Sequence, residues 1–165
     1  MGDIPHQPQP PKIEPLVFGM YPGRLDERGR LKLPANFLQY FAALGETRLF
    51  VTSLDRRIAR LYTIPAWRET EKWLVGFHED PETADNIAFN AADLGALADI
   101  DSQGRILFST DLRRALDIEN QPVWLWPNGS KIEVLSEKLY QERKSGASVD
   151  ATKDLKKLER AVMPR

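Results

Sequence analysis

The pattern Leu25-Asp26-x-x-Gly29-Arg30-Leu31-x-Leu33 returns 75 residues later as Ile100-Asp101-x-x-Gly104-Arg105-Ile106-x-Phe108. A chain carrying one local instruction twice at this separation folds as two copies of one unit, so the repeat restricts the fold before any element is assigned. In the first copy, residues 24–34 predict a strand, a tight turn and a second strand. Gly29 supplies the positive φ that such a turn needs, and Asp26 accepts hydrogen bonds from turn amides two or three residues on. Beyond the turn the pattern alternates, with Leu31 and Leu33 on one face and Arg30 and Lys32 on the other. The result is a short ribbon with an apolar underside and a basic upper face. Pro34 stops the strand and opens a helix over 35–43. That helix carries Phe37, Leu38, Phe41 and Leu44 on one face, and Gly45 ends it. Downstream features repeat as well. Phe37, Leu38 and Phe41 find counterparts in Leu112, Ala115 and Leu116, and the strand 59–63 resembles 132–136.

The remaining chain fits around these units. Residues 1–15 hold five prolines and little apolar material, which predicts a disordered or extended arm. Residues 16–21 read as a first strand, with Pro22-Gly23 as a break. A strand over 47–52, a polar turn over 53–57 and a partner strand over 58–63 follow. Ile64-Pro65 opens a helix carrying Trp67, Trp73 and Leu74, with the tryptophans read as core or subunit-interface residues. A loop at 78–82 leads into a helix over 82–94. In the second unit, Ser109 or Thr110 caps a helix through Asp111, Leu112, Arg113 and Arg114. Strands at 123–126 and 131–135 flank the turn signal Pro127-Asn128-Gly129-Ser130. Residues 141–150 read as a linker, and 151–162 as an amphipathic helix of Leu155, Leu158 and Val162. The domain reading is an arm at 1–15, a first repeat with its following helix at 16–76, and an acidic loop and helix at 77–96. A second repeat at 97–140 and a mixed-charge tail at 141–165, partly helical, complete it. The fold class is α+β, mainly β.

With 165 residues the chain can bury a real core. It has no cysteine, so disulfides, thiolate metal sites and cysteine nucleophiles are out. The net charge of −1 favours no partner, but its distribution does. Residues 24–60 hold eight Lys/Arg against four Asp/Glu, whereas 77–104 hold seven acidic and no basic residues. Such a chain can set a basic face against a polyanion and keep its acidic segment elsewhere.

The two Asp-x-x-Gly-Arg ribbons, each followed by a helix and a hairpin, resemble the MraZ family, a tandem-repeat branch of the AbrB-like (SpoVT-AbrB) DNA-binding fold. The resemblance covers residues 17–140 and includes Asp26, Gly29, Arg30 and Pro34, then Asp101, Gly104 and Arg105, with Trp67 and Tyr140 after the hairpins. It implies a pseudo-two-fold β-barrel built from both repeats, with peripheral helices, and a ring-like homo-oligomer. It also implies a cytoplasmic, nucleoid-associated repressor of the division and cell-wall gene cluster, acting on short direct repeats of double-stranded DNA in its own promoter. No cofactor, metal, membrane or small-molecule substrate is implied. The family's DNA-contacting arginine carries over to Arg30. The sequence departs from the family at Phe18, where a basic residue is usual, at Asp85, Asn86 and Phe89, where arginines are frequent, and at Ser109, which stands in the place of Pro34.

Physical chemistry agrees with this reading. A two-stranded ribbon fits the major groove, arginine can hold guanine bidentately, and further cations neutralise phosphate. Arg30 is the base-reading candidate, and Arg24, Arg28 and Lys32 are phosphate candidates. Arg105 either contacts DNA or pairs with Asp99 or Asp101. Asp26, Gly29, Pro34, Asp101 and Gly104 shape the turns. The alternative for the two arginines is that Arg30 and Arg105 lock the fold by bonding Asp101 and Asp26. The alternative function is an oligomeric protein-interaction module with weakened or lost DNA binding, suggested by the acidic segment and the long tails. An enzyme is disfavoured. His6 and His78 fall in the arm and a loop, no Gly-rich phosphate loop or Gly-x-Ser-x-Gly elbow occurs, and His78, Glu79 and Asp80 are neighbours that do not converge on one ion.

Overall fold

A computed structural model describes residues 17–163, and in it the chain passes through one series of seven elements twice. The expected N-terminal arm lies outside the described residues. The first series is β1 (Tyr21–Arg24), β2 (Arg30–Lys32), α1 (Ala35–Ala43), β3 (Arg48–Thr52), β4 (Ala59–Thr63), α2 (Ile64–Gly76) and α3 (Pro81–Leu94). The second is β5 (Ala96–Asp99), β6 (Arg105–Leu107), α4 (Thr110–Leu116), β7 (Pro122–Asn128), β8 (Lys131–Ser136), α5 (Glu137–Val149) and α6 (Ala151–Val162).

The repeated sequence makes repeated local structure. The Thr63 and Ser136 hydroxyls cap α2 and α5, accepting from the amides of Ala66 and Leu139. Ser109 caps α4, while Pro34 fixes the backbone that enters α1 without a side-chain cap. Asp80 caps α3 by accepting from both the amide and the hydroxyl of Thr83. This is what the acidic loop at 78–82 does.

Which strands pair between the repeats is the feature the sequence did not reveal. Six strands form one antiparallel sheet in the order β1-β7-β8-β4-β3-β5, and β2 pairs with β6 in a second, two-stranded sheet. Exchanging equivalent strands leaves the six-strand order unchanged. The first strand of each repeat lies in the other repeat's half of the sheet, β1 on β7 and β5 on β3. The ribbon expected from residues 24–34 is therefore two-stranded only at its base, where Leu25 bridges to Leu31. Beyond that bridge, Arg30, Leu31 and Lys32 pair with Leu107, Ile106 and Arg105. Amide bonds from Leu33 to the Gly104 carbonyl and from Phe108 to the Gly29 carbonyl extend the ladder at both ends.

The core lies where these elements cross. Leu31, Leu33, Phe37 and Phe41 are buried, as are their repeat counterparts Ile106, Phe108, Leu112 and Leu116. Leu44, expected on the same face as Phe37, is exposed, because α1 ends there in a turn through Gly45 at φ +72. The first strand also differs from expectation. It is Tyr21–Arg24 rather than 16–21, and it contains Pro22-Gly23. Pro22 is tolerated because β1 is an edge strand, where the missing amide faces no partner. Gly23 is needed for close approach, since a Cβ there would lie 2.9 Å from a Leu125 methyl and 3.1 Å from a Leu31 methyl.

Trp67 packs on Phe50 and Tyr62, and its counterpart Tyr140 stacks on Trp124 at 4.2 Å. Trp73 is 70% exposed in the single chain. The expected linker at 141–150 is helical instead. Its residues carry no apolar stripe, and α5 is held instead by the Ser136 cap, the docking of Tyr140 on Trp124 and the bond from Trp124 Nε1 to the Glu137 carboxylate.

Candidate nucleic-acid interface

Each Asp-x-x-Gly-Arg motif closes one compact turn. The Asp26 amide donates to the Arg30 carbonyl, and the Gly29 amide donates to the Asp26 carbonyl. Gly29 sits at φ +80 and Gly104 at φ +74, in the left-handed region that favours glycine. The Asp26 carboxylate accepts from the Arg28 and Arg30 amides through Oδ1 and from Arg30 Nε, at 2.8 Å, through Oδ2. Asp101 repeats this with the amides of Gln103 and Arg105 and with Arg105 Nε at 2.9 Å. Each arginine thus bonds the aspartate of its own turn, four residues back. The cross-repeat bonds Arg30–Asp101 and Arg105–Asp26 do not form. Asp99, the other candidate partner of Arg105, pairs with Arg48.

The amide bonds set the acidity of these carboxylates. The Arg30 amide, first, and then the Arg30 side chain and the Arg28 amide hold Asp26 below its ordinary value near 3.8. The corresponding Arg105 and Gln103 groups do the same for Asp101. A carboxylate with a depressed folded-state pKa stabilises the fold above its ordinary value, and that contribution is lost as pH falls through the lowered one. Thermal melts taken downward from about pH 5 will therefore show stability falling below the ordinary carboxylate value. An Asp26→Asn, Asp101→Asn double variant will be less stable near neutrality and show a shallower acid dependence. An unchanged acid slope in the double variant would show that the turns do not contribute.

The five cations singled out in the sequence fall into two groups. Arg24, Arg28 and Arg30 line a shallow groove beside the first turn, together with Asp26, Glu27 and Asn120. Arg24 is steadied there by a bond to the Asn120 carbonyl at 2.9 Å. Lys32 leans the other way, across the β2–β6 ladder. It faces Arg105 and donates to the Gln103 carbonyl of the second turn.

Sequence reasoning missed Arg113. Its guanidinium covers Gly29, so that a Cβ at Gly29 would lie only 2.2 Å from Nη1, and Nη2 donates to the Thr110 hydroxyl. The position 75 residues earlier, in α1, is Leu38, which covers Gly104, so the counterpart of Leu38 is Arg113 and not Ala115 as the sequence suggested. The two turns share a backbone but not an electrostatic character. Arginines from both repeats surround the first, whereas an apolar lid, an Arg105–Asp101 pair and Lys32 surround the second. The signal for Arg113 was present at the repeat offset from Leu38, but it means something only once α4 is known to pack on the opposite repeat's turn. Pro34 and Ser109 occupy equivalent helix-entry positions and project no charge toward either turn.

No family model matches the chain. Curated relatives do. A transcriptional regulator MraZ from Herpetosiphon aurantiacus is 33% identical over 66% of this chain and 73% of its own length. One from Koribacter versatilis is 31% identical over 64% of this chain and 73% of its own. A third, from Acidobacterium capsulatum, is 27% identical over 77% and 86%.

Proposed function

Since the chain belongs to the MraZ family of transcriptional regulators, we propose that it represses transcription by sequence-specific binding to double-stranded DNA through its first turn. The observation that carries this reading is the convergence of Arg24, Arg28 and Arg30 with Arg113 of the other repeat around that turn. Arg30 is the base reader. Its bond to Asp26 uses Nε and fixes the side chain's direction, leaving the Nη pair for a guanine edge. Arg24, Arg28 and Arg113 neutralise phosphate, as does Lys32 from the far side of the ladder. Arg105 plays the same part more weakly, because its turn has fewer free cations.

The further elements of the proposal follow the family resemblance. The β2–β6 ladder closes a pseudo-two-fold barrel, the chain assembles into a ring that presents many first turns, and the operator is a set of short direct repeats. The target is the chain's own promoter in the division and cell-wall gene cluster, which places the protein on the nucleoid in the cytoplasm.

Fluorescence anisotropy on a promoter fragment of that cluster, beside a scrambled fragment, tests the reading at low and moderate salt. The expected result is tight binding to the promoter alone, weakening steeply with salt as displaced counterions lose their entropic advantage. Equal binding to both fragments would reduce the protein to a general polyanion binder. No binding by a protein that still sizes as an oligomer would favour the protein-interaction module.

A further inference from the structure

The repeats differ most in their last two helices. In the first repeat, α2 and α3 are joined by four residues, 77–80, enough for the chain to reverse. Helix α3 then returns over its own repeat. The Thr52 hydroxyl donates to the Ala91 carbonyl, Arg56 bonds Asn90 and Asp93, and Ile87 faces Tyr62, Thr70 and Leu74. In the second repeat the connection between α5 and α6 is Asp150 alone. One residue is too short to reverse the chain into a helical hairpin. Helix α6 buries none of its residues, and Leu155, Leu158 and Val162 are all more than half exposed.

Among the described residues, the surface that α3 covers in the first repeat is left open in the second. Tyr62, Trp67, Thr70 and Leu74 correspond through the repeat to Leu135, Tyr140, Arg143 and Ala147, and Thr52 corresponds to Trp126. These five second-repeat residues, with Met20 and Lys144, line a mainly apolar groove. A helix without a groove and a groove without a helix therefore occupy equivalent places in one chain, and the connection between α5 and α6 prevents them from meeting within it.

We propose that α6 of one copy docks in this groove of a neighbouring copy, as α3 docks within the first repeat. Charge supports this occupant. At 3.6 residues per turn, Leu155, Leu158 and Val162 form one stripe, flanked by Asp154 on one side and Glu159 on the other. Lys153, Lys156, Lys157 and Arg160 fall on the opposite face. The groove presents Arg143 and Lys144 at its rim, so the acidic flanks of the stripe meet basic groove edges. The inference rests on the ring-like assembly proposed above and names its contact.

The chain contains no cysteine, so any disulfide comes from introduced residues. Full-length Met20→Cys and Leu158→Cys proteins, coexpressed and oxidised, are expected to form a mixed disulfide dimer, while Leu158→Cys alone stays uncrosslinked. A full-length Leu155→Asp, Leu158→Asp variant is expected to keep a cooperative thermal transition and elute as a smaller species than the parent chain. A parent chain that sizes as a monomer would overturn both the ring and this contact. A parent oligomer that is unaffected by the double Asp variant and gives no mixed disulfide would overturn the contact and leave the ring standing. Crosslinking of Leu158→Cys to itself would show helix–helix pairing and overturn the groove as the docking site.

Discussion

Cutting the chain between Gly95 and Ala96 will leave neither half able to fold as a monomer. The half carrying 17–95 keeps β1 and β2 but loses β7 and β6, on which they pair. It also exposes Leu25, Leu31, Leu33 and Phe37, all buried in the intact chain. Burying one such side chain contributes about 1.5–3 kcal/mol. Four together rival the entire stability of a typical domain, about 5–15 kcal/mol. Self-pairing of the fragment is a poor substitute. The intact ladder sets one like pair face to face, Lys32 opposite Arg105, while Arg30 faces Leu107; because Leu107 is the repeat counterpart of Lys32, a homodimer would set Arg30 opposite Lys32 twice. Like charges directly opposite one another destabilise a strand pair. Circular dichroism of each purified half should show no cooperative thermal transition at low concentration, and coexpressing the halves should restore one. A monomeric half with a sharp melt would show that the cross-repeat pairing is dispensable.

Arg30→Ala is the second large effect, and it should fall on DNA rather than on the fold. The Arg30 side chain is 28% exposed and its one described side-chain bond is to the partly exposed Asp26, so removal leaves no buried charge unpaired. If Arg30 reads a base, each site loses about 1–3 kcal/mol, or roughly 5- to 150-fold in affinity. An assembly engaging several operator repeats multiplies this loss through effective concentration. Arg113→Ala should weaken promoter and scrambled DNA together and flatten the salt dependence, as loss of a phosphate contact does. Arg105→Ala should have the smallest effect of the three. Anisotropy titrations with melts run beside them separate these cases. Promoter affinity unchanged in Arg30→Ala would remove the first turn from the binding surface.

Much of this was readable along the chain because it is local. An Asp whose carboxylate holds the amides two and four residues on, followed by a glycine at positive φ, encodes a turn wherever it occurs, and both turns form as the motif implies. The boundaries of α1 follow from Pro34 and Gly45 for the same reason. Helix α5 was not readable, because Gly146 and a run of polar residues hide a segment held by a hydroxyl cap, a stacked tyrosine and an indole–carboxylate bond. Its kinship with α2 shows in the matching caps, Thr63 and Ser136, and the matching docked aromatics, Trp67 and Tyr140.

The sequence by itself determined that the chain is a duplication, which residues face inward in each copy apart from Leu44, and that cations gather in the first. Alternation and spacing carry that information because side-chain direction is fixed by backbone period. Only the tertiary structure decided which strands pair. Leu31 alternates identically whether its strand pairs with its own hairpin or with β6, and period does not name a partner. That choice set the rest of the site, placing Arg113 over Gly29 and Leu38 over Gly104, so that two turns of one backbone are covered by a guanidinium in one case and a leucine in the other.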